Sequence, residues 1–142
     1  MKGPGPVRAR ILVVDDDPAL LETTAALLSL DYDVSLASSG EEALKLFESA
    51  PFDVICTDFR MPGMDGLELL QRARAMRADV WGVVITGYRE FTKSRPDDRN
   101  NFSLLFKPYD PAQLLDTLRQ AVRVTEIRRS TAAASASARR PA

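Results

Sequence analysis

Short apolar runs alternate with longer amphipathic stretches along most of the chain, and this alternation is the feature that most constrains the fold. The runs are rich in Val, Ile, Leu and Phe, which is typical of strands buried on both faces. They cover residues 11–14, 34–37, 52–56, 80–86 and 102–106. Apolar residues at helical spacing follow most of these runs. Strands that alternate with helices predict an α/β domain whose parallel sheet is covered on both faces.

Helix-start signals support the alternation. Asp17-Pro18 and Asp110-Pro111 each place an N-capping side chain before a proline at the first helical position. Ser39 with Glu42 three positions later fits a capping box. A third helix is predicted over residues 66–76, with Asp65 as its cap.

Composition divides the chain into three parts. Residues 1–9, rich in Gly, Pro and cationic side chains, are expected to form a flexible N-terminal arm. Residues 10–129 are long enough for one domain with a substantial core. Residues 130–142 are an Ala/Ser-rich stretch, expected to be a disordered tail or linker. Within the domain, Pro, Asp and Asn in residues 88–101 predict one short or distorted helix.

The absence of histidine excludes several functions. Ser-His-Asp and Cys-His catalysis, imidazole-bound metals and a phosphohistidine donor all require it. The single cysteine, Cys56, cannot form an internal disulfide and is predicted to be a core residue in a reducing compartment. The net charge is -1 and no apolar run approaches the roughly 20 residues of a membrane span. We therefore expect a cytoplasmic protein that binds neither nucleic acid nor membrane directly.

Many arginines stand on the predicted helices and in the tail. They are expected to face solvent, which is the usual position of such residues, and the alternative for those from Arg119 onward is a weak patch for an anionic partner. They are Arg72, Arg74, Arg77, Arg119, Arg123, Arg128, Arg129, Arg139 and Arg140.

Five polar side chains, three of them carboxylates, stand at the carboxyl ends of the predicted strands. Right-handed crossovers place the carboxyl ends of parallel strands on one edge of the sheet, so these residues should converge. They are Asp15, Asp16, Asp58, Thr86 and Lys107. Several carboxylates held together suit Mg²⁺, which prefers oxygen ligands. A metal, a lysine and a hydroxyl around Asp58 predict phosphoryl transfer onto that carboxylate.

Four motifs stand in one order along the chain. They are Ile11-Leu12-Val13-Val14-Asp15-Asp16-Asp17-Pro18, Asp58-Phe59-Arg60-Met61-Pro62-Gly63-Met64-Asp65-Gly66, Thr86-Gly87 and Lys107-Pro108-Tyr109. Any one of them is weak evidence, but their order and approximate spacing are specific. From about Arg10 to about Arg128, the chain resembles the receiver domain of two-component response regulators.

The resemblance implies a flavodoxin-like, doubly wound (βα)5 fold with strand order 2-1-3-4-5. Asp58 would accept a phosphoryl group from a phosphohistidine on a sensor histidine kinase. Mg²⁺ would be held by Asp15, Asp16, Asp58 and the backbone carbonyl of Arg60. Thr86 and Lys107 would bind phosphoryl oxygens, and the Lys107–Pro108 peptide bond is expected to be cis.

The resemblance also implies a switching protein and not an enzyme acting on other substrates. It would catalyse only its own phosphorylation and dephosphorylation. Its expected partners are the kinase, a downstream protein or output domain and, as a further candidate, a second copy of the chain.

Two departures from the family pattern affect switching. Receivers typically carry Tyr or Phe three positions before the lysine, where this chain has Leu104. We therefore expect phosphorylation to be retained while signalling uses another motion or dimerisation. Arg60 and Tyr88 stand two residues after Asp58 and Thr86, and these bulky side chains predict slow self-dephosphorylation.

Two other functions fit parts of the pattern. Leu104 is compatible with a pseudo-receiver that acts as a phosphorylation-independent interaction module, although the complete set of site residues argues against it. A Mg²⁺-dependent phosphohydrolase could use Asp58 as its nucleophile. Against this second alternative, Arg60 stands where a second acid would be expected, and little chain is left for a substrate-binding cap.

Overall fold

The computed structural model describes residues 8–87 and 102–138 of the 142-residue chain. The strands in these ranges are β1 (Arg10–Val14), β2 (Asp33–Ala37), β3 (Val54–Asp58), β4 (Trp81–Gly87) and β5 (Phe102–Lys107). The helices are α1 (Pro18–Leu28), α2 (Gly40–Ser49), α3 (Gly66–Met76) and α4 (Pro111–Ala138). The helix expected within residues 88–101 lies outside the described residues.

All strand pairs in the sheet are parallel, in the order β2-β1-β3-β4-β5. This order confirms the predicted doubly wound, flavodoxin-like fold. The chain crosses over between β2 and β3, so β1 lies between these two strands and β3 is the central strand of the sheet. Ligands of such sheets bind outside the carboxyl ends of the strands, near the point where the strand order reverses.

Alternate residues of the strands face two separate apolar clusters. Leu12, Ile55 and Val84 point to the side covered by α2 and α3, where they pack with Phe47 and Leu69. The intervening strand residues point to the side covered by α1 and α4. They include Ile11, Val13, Cys56, Val83 and Ile85, packed with Leu21, Leu114 and Leu118. Cys56 is buried in this second cluster, which agrees with its predicted place in the core.

The predicted disorder from residue 130 onward is wrong for residues 130–138, because α4 continues to Ala138. Alanine has the highest helix propensity, and extending a formed helix avoids the cost of a new nucleus. Ser130 to Ala134 are exposed, so propensity and not burial accounts for this extension. The fold also includes the end of the expected N-terminal arm, since the Asp33 N–H donates to the Ala9 carbonyl at 2.9 Å. Residues 1–7 and 139–142 lie outside the described part of the chain.

Several arginines expected to face solvent instead make contacts within the fold. The Arg77 guanidinium lies 4.0 Å from the centroid of the Phe47 ring. It also donates to two carbonyls at the C-terminal end of α2, those of Phe47 and Ala50. Arg74 and Arg128 each lie 5.2 Å from the centroid of the Trp81 ring. Planar guanidinium groups favour such contacts because they are weakly hydrated and attracted to aromatic faces.

Arg129 makes the most extensive of these contacts. It forms ion pairs with Asp53 and with Asp79, the latter at 2.9 Å, and donates to the Phe52 carbonyl at 3.1 Å. Asp53 precedes β3 and Asp79 precedes β4, so this Arg129 cluster joins α4 to the sheet edge opposite the strand carboxyl ends. None of the described helices is long and apolar enough to cross a membrane.

Candidate functional site

Asp58 is the last residue of β3 and is only 9% exposed. Lys107 is the last residue of β5, and its Nζ lies 3.0 Å from Asp58 Oδ1. Because β4 separates these two strands in the sheet, the lysine side chain reaches across the end of β4. The order of the strands thus brings together two residues that are far apart in the chain.

Asp15 and Asp16 follow β1, the other neighbour of β3. One carboxylate oxygen from each, with one from Asp58, forms a group whose atoms all lie within 4.8 Å of one another. Asp15 is oriented by two backbone contacts: its N–H donates to the Ala37 carbonyl at 3.2 Å, and its Oδ1 accepts from the Asp17 N–H at 2.9 Å. Asp16 is exposed, whereas Asp58 is buried, so the acidic cluster opens toward solvent on one side.

The two other aspartates of these motifs cap helices, as predicted. The Asp17 carboxylate accepts hydrogen bonds from the backbone N–H groups of Ala19 and Leu20, at 2.9 and 3.4 Å. Asp65 Oδ1 accepts from the Glu68 N–H at 2.9 Å. Each carboxylate therefore satisfies N–H groups that have no partner within their helix.

Thr86 lies near Asp58 on the neighbouring strand β4, and Arg60 lies two residues after Asp58 in the chain. Thr86 follows Ile85, the register partner of Asp58, and is 1% exposed. Its Oγ1 donates to the Gly87 carbonyl at 3.2 Å. Arg60 is exposed in the loop after β3. Tyr88, the residue expected to act with Arg60 on phosphoryl lifetime, lies outside the described residues.

Burial and neighbouring charges together set the pKa values of Asp15 and Lys107. Desolvation raises the pKa of Asp15 above 3.8, and the nearby Asp58 and Asp16 carboxylates act in the same direction. Burial alone would lower the pKa of Lys107. The hydrogen bond and charge of Asp58 outweigh it, with help from Asp15, so that the pKa lies above 10.5. Lys107 is therefore a fixed positive charge at neutral pH.

Gly66 is a residue of the site that the sequence interpretation missed. A Cβ at this position would lie 2.6 Å from the Asp58 carbonyl oxygen and 3.2 Å from Phe59 Cα. Its N–H donates to the Phe59 carbonyl at 2.9 Å, which closes the loop onto the end of β3. The sequence showed Asp65-Gly66 only as a helix start, and the close backbone approach becomes visible only in the folded chain.

The loops around the site have the backbone features that their sequences indicate. The Lys107–Pro108 peptide bond is cis, which confirms the expectation for that bond. Gly63 has a φ of 76°, a conformation that glycine adopts without the strain of a side chain. Met61 and Met64 are buried in the cluster on the α2 and α3 side and shape the loop from within.

The fold and the site together define a class of protein: a doubly wound parallel sheet with an acidic cluster and a lysine at its carboxyl edge. Comparison with known proteins identifies the family. Residues 11–119 match the family model described as the response regulator receiver domain. The chain therefore belongs to the receiver domains of two-component response regulators, which are phosphorelay signalling domains and not classical enzymes.

Individual relatives agree with this assignment. The chain is 33% identical over 117 residues to the hydrogenase transcriptional regulatory protein HoxA of Cupriavidus necator, covering 81% of this chain and 24% of that protein. It is 38% identical over 119 residues to the response regulator MprA of Mycolicibacterium vanbaalenii, covering 82% and 51%. A solved structure described as adenylate cyclase from Rhodopirellula baltica superposes with a TM-score of 0.82 at 32% identity, covering 88% of this chain and 95% of that one. The chain thus spans about a quarter of HoxA and about half of MprA.

Proposed function

We propose that the chain accepts a phosphoryl group on Asp58 from a phosphohistidine of a sensor histidine kinase and thereby switches a protein-interaction surface. The observation that carries the proposal is the environment of Asp58. Its buried carboxylate contacts Lys107 at 3.0 Å and lies within 4.8 Å of two further carboxylates. A carboxylate held beside a fixed cation at the inner end of an acidic cluster that opens to solvent is suited to attack an incoming phosphorus atom.

In the proposed reaction a carboxylate oxygen of Asp58 forms a bond to phosphorus while the bond from phosphorus to the histidine nitrogen breaks. The imidazole leaves with the bonding electrons, and the product is an aspartyl phosphate. Lys107 would pair with the transferred phosphoryl oxygens, and Thr86 would donate its hydroxyl to them. Such positioned charges and donors supply most of the catalysis in phosphoryl transfer.

The acidic cluster has the chemistry of a Mg²⁺ site. Its three carboxylates supply hard oxygen donors within 4.8 Å of one another, and the ion would leave coordination positions for water or substrate. Asp15, Asp16, Asp58 and the backbone carbonyl of Arg60 would hold the ion. When bound, it would offset the charge of the carboxylates and of the phosphoryl oxygens.

The direct test is incubation with Mg²⁺ and acetyl phosphate, followed by intact mass measurement. We expect a phosphate-sized mass increment that is absent with EDTA and in Asp58→Asn. Asp116→Asn, an exposed aspartate paired with Arg119 at 2.8 Å, is the matched control and should label like the wild type. A phosphorylated histidine kinase should transfer its label to the same residue.

Other results would support different functions. No increment with either donor would favour the pseudo-receiver, which Leu104 makes the second candidate. Release of many equivalents of inorganic phosphate from small phosphate esters would favour the phosphohydrolase. Labelling that persists in Asp58→Asn would show that another residue accepts the phosphoryl group.

A further inference from the structure

A cavity of about 470 Å³ adjoins the carboxylate of Asp58 on the side of the sheet covered by α1 and α4. Its walls include Leu20 and Thr24 from α1, and Pro108 and Leu114 from the segment that follows β5. Val13, Cys56 and Ile85 of the sheet line its interior. This volume is within the range of small-molecule sites, which are mostly apolar with a few placed polar groups.

The charged groups of this cavity stand together. Its wall contains Asp15, Asp58 and Lys107, and the other lining side chains are mainly apolar. A molecule with a phosphoryl group at one end and an apolar body at the other matches this separation of charged and apolar wall residues. Its phosphoryl group would meet Lys107 beside Asp58, while its body would lie against Leu20 and Pro108. Leu20 is 41% exposed, which leaves apolar surface open to such a body.

We propose that this cavity binds the acyl group of acyl phosphates, so that the chain takes phosphoryl groups from donors with an aryl or branched acyl group in preference to acetyl phosphate. This inference rests on the proposed phosphoacceptor role of Asp58. A carboxylate oxygen of Asp58 forms the new bond to phosphorus as the bond from phosphorus to the acyl oxygen breaks. The leaving group is the free carboxylate, which keeps the electron pair and needs no proton.

The geometry of transfer is compatible with this placement. The attacking and leaving oxygens lie roughly in line through phosphorus, so the acyl group leaves on the side away from the Asp58 carboxylate. Rotation about the bonds of the acyl phosphate lets its body turn back onto the apolar wall formed by Leu20 and Pro108. A phenyl ring would cover more of this wall than a methyl group does.

The experiment compares labelling by benzoyl phosphate and acetyl phosphate, each with Mg²⁺, by intact mass over a range of donor concentrations. We expect the second-order rate constant to be about tenfold higher for benzoyl phosphate, the effect of partly burying a phenyl ring. Thr24→Leu narrows the cavity and should lower this preference. Thr117→Leu makes the same change on α4, outside the cavity lining, and should leave the preference intact. The intrinsic reactivity of the donors is the same for every variant, so the change in the ratio reports the cavity.

Two further measurements guard against misfolding and against a purely chemical preference. Leu20→Ala removes an exposed wall without altering the core and should lower the ratio two- to threefold. Benzylphosphonate cannot transfer its phosphoryl group, and it should shift the methyl signals of Leu20 and Leu114 more than methylphosphonate does. Equal labelling by the two donors, or a ratio unchanged in Thr24→Leu and Leu20→Ala, would overturn the inference while leaving the phosphoacceptor role in place. Labelling by neither donor would overturn both.

Discussion

Asp15 illustrates how the site places charge where burial disfavours it. Desolvation raises its pKa above 3.8, and the neighbouring carboxylates add to that rise. A carboxyl group whose pKa is higher in the folded state favours folding below its unfolded pKa. That contribution is lost as the pH rises through the folded pKa. At neutral pH in the absence of a metal ion, the ionised Asp15 therefore lowers the stability of the domain.

We predict that Asp15→Asn stabilises the metal-free protein at pH 7 by about 0.5–1 kcal/mol, a small value because solvent screens this partly exposed site. Asparagine keeps the oxygen that accepts from the Asp17 N–H, so the geometry of the loop is retained. Urea unfolding at pH 7 and at pH 4.5 measures the effect, which should shrink at the lower pH. Asp116→Asn is the control. A variant less stable than the wild type at pH 7 would contradict the prediction.

Gly66 determines how closely α3 approaches the carbonyl of Asp58. We predict that Gly66→Ala slows labelling of Asp58 at least tenfold, because a Cβ 2.6 Å from that carbonyl must displace the end of β3. Gly82→Ala is the matched control, since its Cβ would meet Leu70 Cδ1 at 2.3 Å, within the core. Both variants should lose about 1–3 kcal/mol of stability. Labelling is measured with acetyl phosphate at a temperature below the unfolding transition of both variants. Only Gly66→Ala should slow it, and equal labelling rates in the two variants would refute the role of Gly66.

At the scale of elements, α4 is attached to the sheet at two points of one helical turn. Thr125 Oγ1 donates to the Asp53 carbonyl at 2.7 Å, and Arg129 pairs with the Asp53 and Asp79 side chains. Beyond Arg129, the exposed residues of α4 extend the helix by propensity. The Arg129 cluster therefore marks where the packed part of α4 ends.

Replacing Arg129 should accordingly destabilise the whole domain. We predict that Arg129→Met lowers the free energy of unfolding by about 1–2 kcal/mol, because Asp53 and Asp79 lose their cationic partner. Arg119→Met removes an exposed pair with Asp116 and should cost less than about 0.5 kcal/mol. Urea unfolding followed by circular dichroism measures both. Similar losses in the two variants would show that the Arg129 cluster has no special structural role.

These contacts also show where sequence interpretation succeeds and where it stops. The helix starts at Asp17 and Asp65 were predictable because a cap and its N–H partners lie within three residues. The convergence of Asp15, Asp58 and Lys107 followed from the alternation of strands and helices, because right-handed crossovers place the carboxyl ends of parallel strands on one side of the sheet. Arg129 is different, since its partners Asp53 and Asp79 are 76 and 50 residues away in the chain. No local pattern signals such a pair, and the apolar cavity and the close approach of Gly66 are likewise products of tertiary packing.

At the scale of the whole molecule, a switch must carry a change at Asp58 to a surface that a partner contacts. Leu104 lies on β5 with its partly buried side chain against the cluster on the α2 and α3 side. Phe102 on the same face is buried in that cluster, whereas Phe106 is 38% exposed. An aliphatic side chain at position 104 has no ring to turn between an inner and an outer position. The coupling that receivers typically make through an aromatic residue of β5 therefore lacks its aromatic side chain in this chain.

We predict that a phosphoryl mimic changes amide hydrogen exchange in the loops after β1 and β3 and leaves the exchange rates of residues 102–106 within about twofold. The loops after β1 and β3 carry the acidic residues that would surround the mimic. The strand β5 would meet it only through the Lys107 side chain at its end, and Leu104 supplies no ring to carry a change further along the strand. Exchange measured by mass spectrometry with and without beryllium fluoride and Mg²⁺ tests this difference. Leu104→Tyr supplies the missing ring and should introduce mimic-dependent changes in β5, whereas Leu104→Ile should not. A large response of β5 in the wild type would show that the ordinary coupling operates without an aromatic side chain. A response confined to the loops would instead direct the search for the output surface away from β5.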